Sequence, residues 1–144
     1  MVGNIDLDLL EKTYQNAKIG ITAIEEVLDK ASRTDLIQDL QNQLKDYSEI
    51  ASKAKNELLK NGAEVKEKPI YDRAMMKGNI KMNLWMEPSD SRIADMVIKG
   101  STMGMTQMMK LINDKKAADG TCIRIAKEFV QKEENNIETM KAYL

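Results

Sequence analysis

Apolar residues recur at alternating intervals of three and four positions through the first 60 residues, and this spacing restricts the fold more than any other feature. It places side chains on one stripe of an α-helix, as in the seam of a helical bundle. Within 6–31 the stripe comprises Leu7, Leu10, Tyr14, Ala17, Ile21, Ile24, Leu28 and Ala31. Within 35–60 it comprises Ile37, Leu40, Leu44, Tyr47, Ala51, Ala54 and Leu58. Because the connection between these helices is short, they are expected to lie antiparallel.

The rest of the chain continues as helices that Pro and Gly separate. Asn61-Gly62 is expected to end the second helix, since both residues tolerate a left-handed turn. A short helix is predicted over 70–87, after Pro69 and before Pro88, followed by helices over 90–118 and 121–144. Their inward positions are Ile93, Val97, Gly100, Gly104, Met108 and Leu111, then Ile123, Ala126, Val130, Glu133, Ile137, Met140 and Leu144.

These segments predict an all-α fold with one domain over 1–144. No stretch alternates with the period of two that marks a half-buried strand. The four long helices are expected to form an up-down bundle, with the 70–87 helix inserted at the midpoint crossover. One long connection at that point is the arrangement of ferritin-like bundles.

Composition excludes several functions. Lys and Arg total 22 against 23 for Asp and Glu, so no basic field for nucleic acid is expected. No apolar run approaches the ~20 residues of a membrane span. The first residues lack the basic and then apolar pattern of a secretion signal. The single Cys122 cannot form an intrachain disulfide, which favours a reducing, cytoplasmic location.

Several stretches resemble the small bacterial ferritin-like bundles of unknown function. They are the LDLLEKTYQNAKIGITAIEEVLDK helix, the ELLKNG ending of the second helix and the later GSTMGMTQMMKLI helix. The resemblance implies a ferritin-like four-helix bundle. In metal-binding relatives a Glu-x-x-His pair is expected in the second helix, but here Ser52 follows Glu49. The corresponding pair in the last helix is also changed, because Asn136 stands three residues after Glu133 where a histidine is expected. The chain holds no histidine.

Glu49 and Glu133 are the two candidate metal ligands, because hard cations accept carboxylate oxygens without histidine. The inward stripes of the first two helices contain no acidic residue. Glu133 falls on the seam of the last helix, where an unpaired carboxylate would be costly. It is therefore expected to have a partner, to lie at a frayed end of the bundle, or to be functional.

Methionine is abundant, with 11 residues in the chain. Met105, Met108 and Met109 are the candidate interface residues, because flexible thioethers suit adaptable contact surfaces as well as irregular cores. A Cu(I) site is the alternative for this cluster. Gly100 and Gly104 are expected to allow close helix packing against the 70–87 helix, or across a dimer.

The leading hypothesis is a non-enzymatic bundle, without metal or other cofactor, that acts as a homo-oligomer or a partner-binding module. Cys122 has no histidine to serve as its base, and no nucleotide-binding motif is present. An iron or manganese protein with carboxylate ligands alone and redox or storage activity is the alternative. A third reading is an apolar ligand pocket between the bundle and the inserted helix.

Overall fold

A computed structural model describes residues 6–65, 67, 89–114 and 120–144. These residues form four long α-helices, and no strand occurs among them, which confirms the all-α prediction for this part of the chain. The helices are α1 (Leu7–Leu28), α2 (Thr34–Lys60), α3 (Asp90–Asp114) and α4 (Gly120–Met140), followed by a 3-10 turn at Lys141–Tyr143. The helix predicted over 70–87 lies outside the described residues.

The helix ends agree with the predicted ranges to within a few residues. α2 ends where Asn61-Gly62 predicts, and Gly62 takes a φ of +76°, the left-handed conformation that glycine adopts without strain. α1 ends at Leu28, before the predicted limit of 31. The last helix changes to a 3-10 turn after Met140, although the α-helix was predicted to reach 144.

Asp90 links the start of α3 to the connection between α1 and α2 by hydrogen bonds. Its carboxylate accepts hydrogen bonds from the backbone N–H groups of Ser32 (2.8 Å) and Arg33 (3.0 Å). This contact places the first turn of α3 beside the point where α1 ends and α2 begins. The α3 helix therefore runs antiparallel to α1.

The α2 and α3 helices point in the same direction. Lys53, late in α2, pairs with Glu128, early in α4, at 2.9 Å. Asp39, early in α2, accepts a hydrogen bond from Tyr143 beyond the end of α4. The α2 and α4 helices are therefore antiparallel, while α2 and α3 both begin at the end of the bundle near Asp90. The end of α2 and the start of α3 consequently lie at opposite ends of the bundle.

The core takes side chains from a wider face of each helix than the predicted stripes. Leu9, Leu36 and Phe129 lie outside those stripes, yet all three are fully buried. Leu7 and Leu144 were predicted to face inward, but they are 40% and 62% exposed. A helix packed among several neighbours buries a face of 100° or more, which is broader than a two-position seam.

Candidate functional site

A polar cluster lies in the centre of the bundle around Glu133, whose side chain is only 3% exposed. Tyr47 of α2 donates its hydroxyl hydrogen to Oε1 of Glu133. The amide of Asn136 donates to the same oxygen and to the Tyr47 hydroxyl, at 3.3 Å each. The hydroxyl of Ser101, on α3, also hydrogen-bonds with Glu133. We call Tyr47, Ser101, Glu133 and Asn136 the Glu133 cluster.

Two glycines make room for the Glu133 cluster. A Cβ atom on Gly20 of α1 would lie 2.7 Å from ring atoms of Tyr47. A Cβ atom on Gly104 of α3 would lie 2.6 Å from Oε2 of Glu133 and 3.5 Å from the ring of Phe129. Gly104 therefore packs closely against α4, whereas the predicted contact with the 70–87 helix lies outside the described residues. All four described helices thus shape the site.

The Glu133 cluster changes the acidity of its own groups. Burial raises the pKa of Glu133 from 4.5 to about 7, although the hydrogen bonds of Tyr47, Ser101 and Asn136 act in the opposite direction. Burial, followed by the negative charge of Glu133, raises the pKa of Tyr47 well above its usual value. Near neutral pH, Glu133 can therefore gain or lose a proton while Tyr47 stays protonated as a hydrogen-bond donor.

The structure does not bring the two candidate metal ligands together. Glu49 lies on the exposed side of α2, whereas Glu133 is buried and hydrogen-bonded. Ser52, at one of the positions where a ligand histidine was expected, is also exposed. Among the described residues, no group of three or more Asp, Glu, Cys or His side chains is placed to hold a metal ion.

Gln43 is a buried polar residue one helical turn before Tyr47. Its side chain is 3% exposed. Within the part of the chain that the structure describes, neither Nε2 nor Oε1 of Gln43 has a hydrogen-bond partner. An unpartnered buried amide is uncommon in folded proteins, because it loses its hydrogen bonds to water without replacing them.

The predicted interface methionines occupy different environments on α3. Met108 is fully buried, so a surface partner cannot contact it in this conformation. Met109 is 42% exposed, Met103 is 64% exposed, and Met105 is half-buried. The side chains available to a partner are therefore Met103 and Met109, with a smaller part of Met105.

The exposed side of α3 between Lys99 and Lys110 carries no charged residue. We call it the outer face of α3, and it comprises Gly100, Thr102, Met103, Thr106, Gln107 and Met109. The hydroxyls of Thr102 and Thr106 donate to backbone oxygens of their own helix at 2.7 Å, which satisfies them within α3. Gly100 was predicted to face inward, but it belongs to this outer face and a Cβ there would meet nothing within 4 Å.

Cys122 is 3% exposed, and burial raises the pKa of its thiol. The neutral thiol is therefore the dominant form at neutral pH, and it is a poor nucleophile. Cys122 is therefore a buried side chain of the core.

Sequence analysis identified Glu133 and Asn136 but missed three other polar residues of the interior. Tyr47 was assigned to the apolar seam, and neither Ser101 nor Gln43 was singled out. The hydroxyl of Tyr47 was the available signal, because a buried tyrosine in mid-helix usually needs a hydrogen-bond acceptor. Gln43 stands one turn away on the same helix face, but its burial is not visible from its residue type.

Comparisons of the chain with family models, with curated proteins and with solved structures give no match. None of the described helices is both long and apolar enough to cross a membrane.

Proposed function

We propose that the chain is a cytoplasmic, ferritin-like helical bundle that acts without catalysis by associating with a second copy of itself. The observation that carries the proposal is the outer face of α3, where Met103 and Met109 are exposed on an uncharged surface. Uncharged surface patches with exposed methionines favour contact with another protein. The single, unpaired cysteine supports the cytoplasmic location, because disulfides are rare in reducing compartments.

The helix directions support the ferritin-like part of the proposal. Because α2 and α3 are parallel, the connection between them joins opposite ends of the bundle. A single long crossover between two antiparallel helix pairs is the defining connection of that arrangement. The Glu133 cluster supports the absence of metal chemistry, since the hydrogen bonds of Tyr47, Ser101 and Asn136 already engage its carboxylate.

Lys99 and Asp114, on either side of the outer face, carry opposite charges, and this favours a second copy as the partner. If two α3 helices pack antiparallel about a point between Thr106 and Gln107, Lys99 of each copy lies at the level of Asp114 in the other. Thr106 and Gln107 of the two copies then face each other, and Lys110 of each copy lies at the level of Met103 in the other. Two antiparallel helices also align their dipoles favourably. The same face thus complements itself, as a twofold dimer requires.

The test is the molar mass of the full chain in size-exclusion chromatography with light scattering. The wild type is expected at twice the chain mass of 16.3 kDa, and the double variant Met103→Lys, Met109→Lys at 16.3 kDa. Burying two added ammonium groups against a second copy would be unfavourable, and the one at position 103 would also lie at the level of Lys110. The matched control is Leu59→Lys on α2, where the side chain is 53% exposed, and it should remain a dimer.

A monomeric wild type would contradict the proposal. So would a double variant that remains dimeric with an unchanged helical circular dichroism spectrum. If Leu59→Lys alone became monomeric, the interface would involve α2 instead of the outer face of α3.

A further inference from the structure

The methionines of the described helices differ in how far water reaches them. Met103 is 64% exposed and Met109 is 42% exposed, both on the outer face of α3. Met108 and Met140 are fully buried. The side-chain amide of Asn16, on α1, also donates a hydrogen bond to Sδ of Met108 at 3.5 Å, so the protein itself engages that sulfur. A reagent dissolved in water therefore contacts Met103 and Met109 before Met108 and Met140.

The cysteine of this chain is a poor target for an oxidant. Cys122 is the single cysteine, and its side chain is only 3% exposed. Burial raises the pKa of its thiol, and the thiolate is the form that reacts. A methionine thioether has no proton to lose, so it reacts with a peroxide at any pH. In the part of the chain that the structure describes, the sulfur atoms most open to an oxidant are therefore on the outer face of α3.

We propose that the outer face of α3 is an oxidation site, where hydrogen peroxide converts Met103 and Met109 to methionine sulfoxide and the sulfoxide at position 109 separates the two copies of the chain. This inference rests on the proposed self-association. The thioether sulfur attacks one oxygen of the peroxide, the O–O bond breaks and an S–O bond forms. Sulfur loses two electrons to the peroxide. The leaving hydroxide takes the proton of the transferred oxygen and departs as water.

A sulfoxide at position 109 meets no free hydrogen-bond donor in the antiparallel pair. It lies at the level of Gly104 in the other copy, between Met103 and Met105, and none of these side chains has a donor. The hydroxyls of Thr102 and Thr106 already donate to backbone oxygens of their own helix. Burying the polar S–O group there without a partner is unfavourable, whereas the thioether is apolar.

Position 103 differs from position 109 in this respect. A sulfoxide at position 103 lies at the level of Lys110 in the other copy, whose ammonium group is a donor. Oxidation of Met103 is therefore tolerated in the dimer, and oxidation of Met109 decides whether the copies separate.

Oxidation takes place on the free copy of the chain, because in the dimer the two methionines face the partner. An oxidised copy no longer pairs, so mass action draws the remaining dimers apart. The rate at which Met109 is oxidised should consequently fall as the protein concentration rises.

The test treats the full chain with hydrogen peroxide and follows two quantities. Peptide mass spectrometry should find sulfoxide at Met103 and Met109 before Met108 and Met140. Light scattering should show the molar mass of the wild type falling from twice 16.3 kDa to 16.3 kDa, with an unchanged helical circular dichroism spectrum. Methionine sulfoxide reductases supplied with a dithiol should restore the dimer.

Two leucine variants assign the effect to one sulfur. Leucine is apolar and is not oxidised, so Met109→Leu should be a dimer before and after treatment, although its other methionines still react. The matched control Met103→Leu should separate as the wild type does.

The outcomes distinguish this inference from the proposed function. A wild type that stays dimeric with Met109 fully oxidised overturns the inference and leaves the dimer intact. Separation of treated Met109→Leu, or loss of the helical spectrum as the wild type separates, also overturns it. A monomeric wild type before treatment overturns the proposed dimer, and the inference with it.

Discussion

Glu133 makes the stability of this bundle depend on pH. An apolar residue at the same position of the seam would not do so. Its pKa is about 7 in the folded protein and 4.5 as the reference value for the unfolded chain. The folded state therefore binds the proton more tightly. This carboxyl destabilises the fold progressively as pH rises from about 4.5 through about 7, and the penalty is complete above that range.

Replacing Glu133 with glutamine should remove this penalty, because the amide stays neutral at every pH. We expect Glu133→Gln to exceed the wild type in free energy of unfolding by up to about 3 kcal/mol at pH 8, with the difference vanishing toward pH 4. Urea denaturation across this range measures it. Glu134→Gln, at the exposed neighbouring position, is the control. A wild type and a Glu133→Gln variant with parallel pH profiles would show that Glu133 is not the titrating group.

Gly104 and Gly100 allow the same substitution to be compared on two sides of one helix. Alanine at position 104 would meet Oε2 of Glu133 at 2.6 Å, and the carboxylate cannot retreat without loosening its hydrogen bonds to Tyr47 and Asn136. Alanine at position 100 meets nothing within 4 Å. Both variants gain the same helix propensity, so we expect Gly104→Ala to be less stable than Gly100→Ala by about 1–3 kcal/mol. Equal stabilities in chemical denaturation would contradict the close contact.

At the scale of the elements, Asp90 connects the two halves of the bundle. Its carboxylate receives two backbone hydrogen bonds from the α1–α2 connection, while it also occupies the first turn of α3. Asp90→Ala is expected to lower the free energy of unfolding by about 1–2 kcal/mol, because both N–H groups lose a charged acceptor. Asp8→Ala is the control, since Asp8 lies in the first turn of α1 and is exposed. If both variants lose the same stability in urea, the helix dipole explains the effect and the link between halves does not.

The helices themselves were the part of the structure that the sequence predicted best. Spacing by three and four is a local property, so it identified α1 and α2 closely and placed α3 and α4 within a few residues. Which face of each helix is buried was less predictable. Gly100 turned outward and Phe129 inward, because the width of a buried face depends on how many neighbours a helix has.

At the scale of the whole molecule, self-association would couple folding to concentration. If the native state is a dimer, the midpoint of thermal unfolding should rise by about 2 °C for each tenfold increase in protein concentration. The double variant Met103→Lys, Met109→Lys should unfold at the same temperature at every concentration. Calorimetry of each protein at two concentrations measures how its unfolding midpoint depends on concentration. A wild-type midpoint that does not depend on concentration would count against a dimer that persists up to the unfolding transition.

Only part of the Glu133 cluster could be predicted from the order of residues. The position of Glu133 on an apolar seam, and the position of Asn136 one turn later, are both readable from one helix. The hydrogen bond from Tyr47 joins residues 86 positions apart, and no local pattern indicates it. The same holds for the unpartnered amide of Gln43, which depends on what packs beside it.

By itself, the sequence determined that the described chain is helical, that it has no histidine and that one carboxylate lies on an inward seam. Periodicity and residue type act within a few turns of helix, so they can specify these properties without a partner. Tertiary structure decided which groups meet that carboxylate, and it decided that Met108 is interior while Met103 and Met109 are exposed. Those outcomes depend on the direction and rotation of helices far apart in the chain, which packing sets.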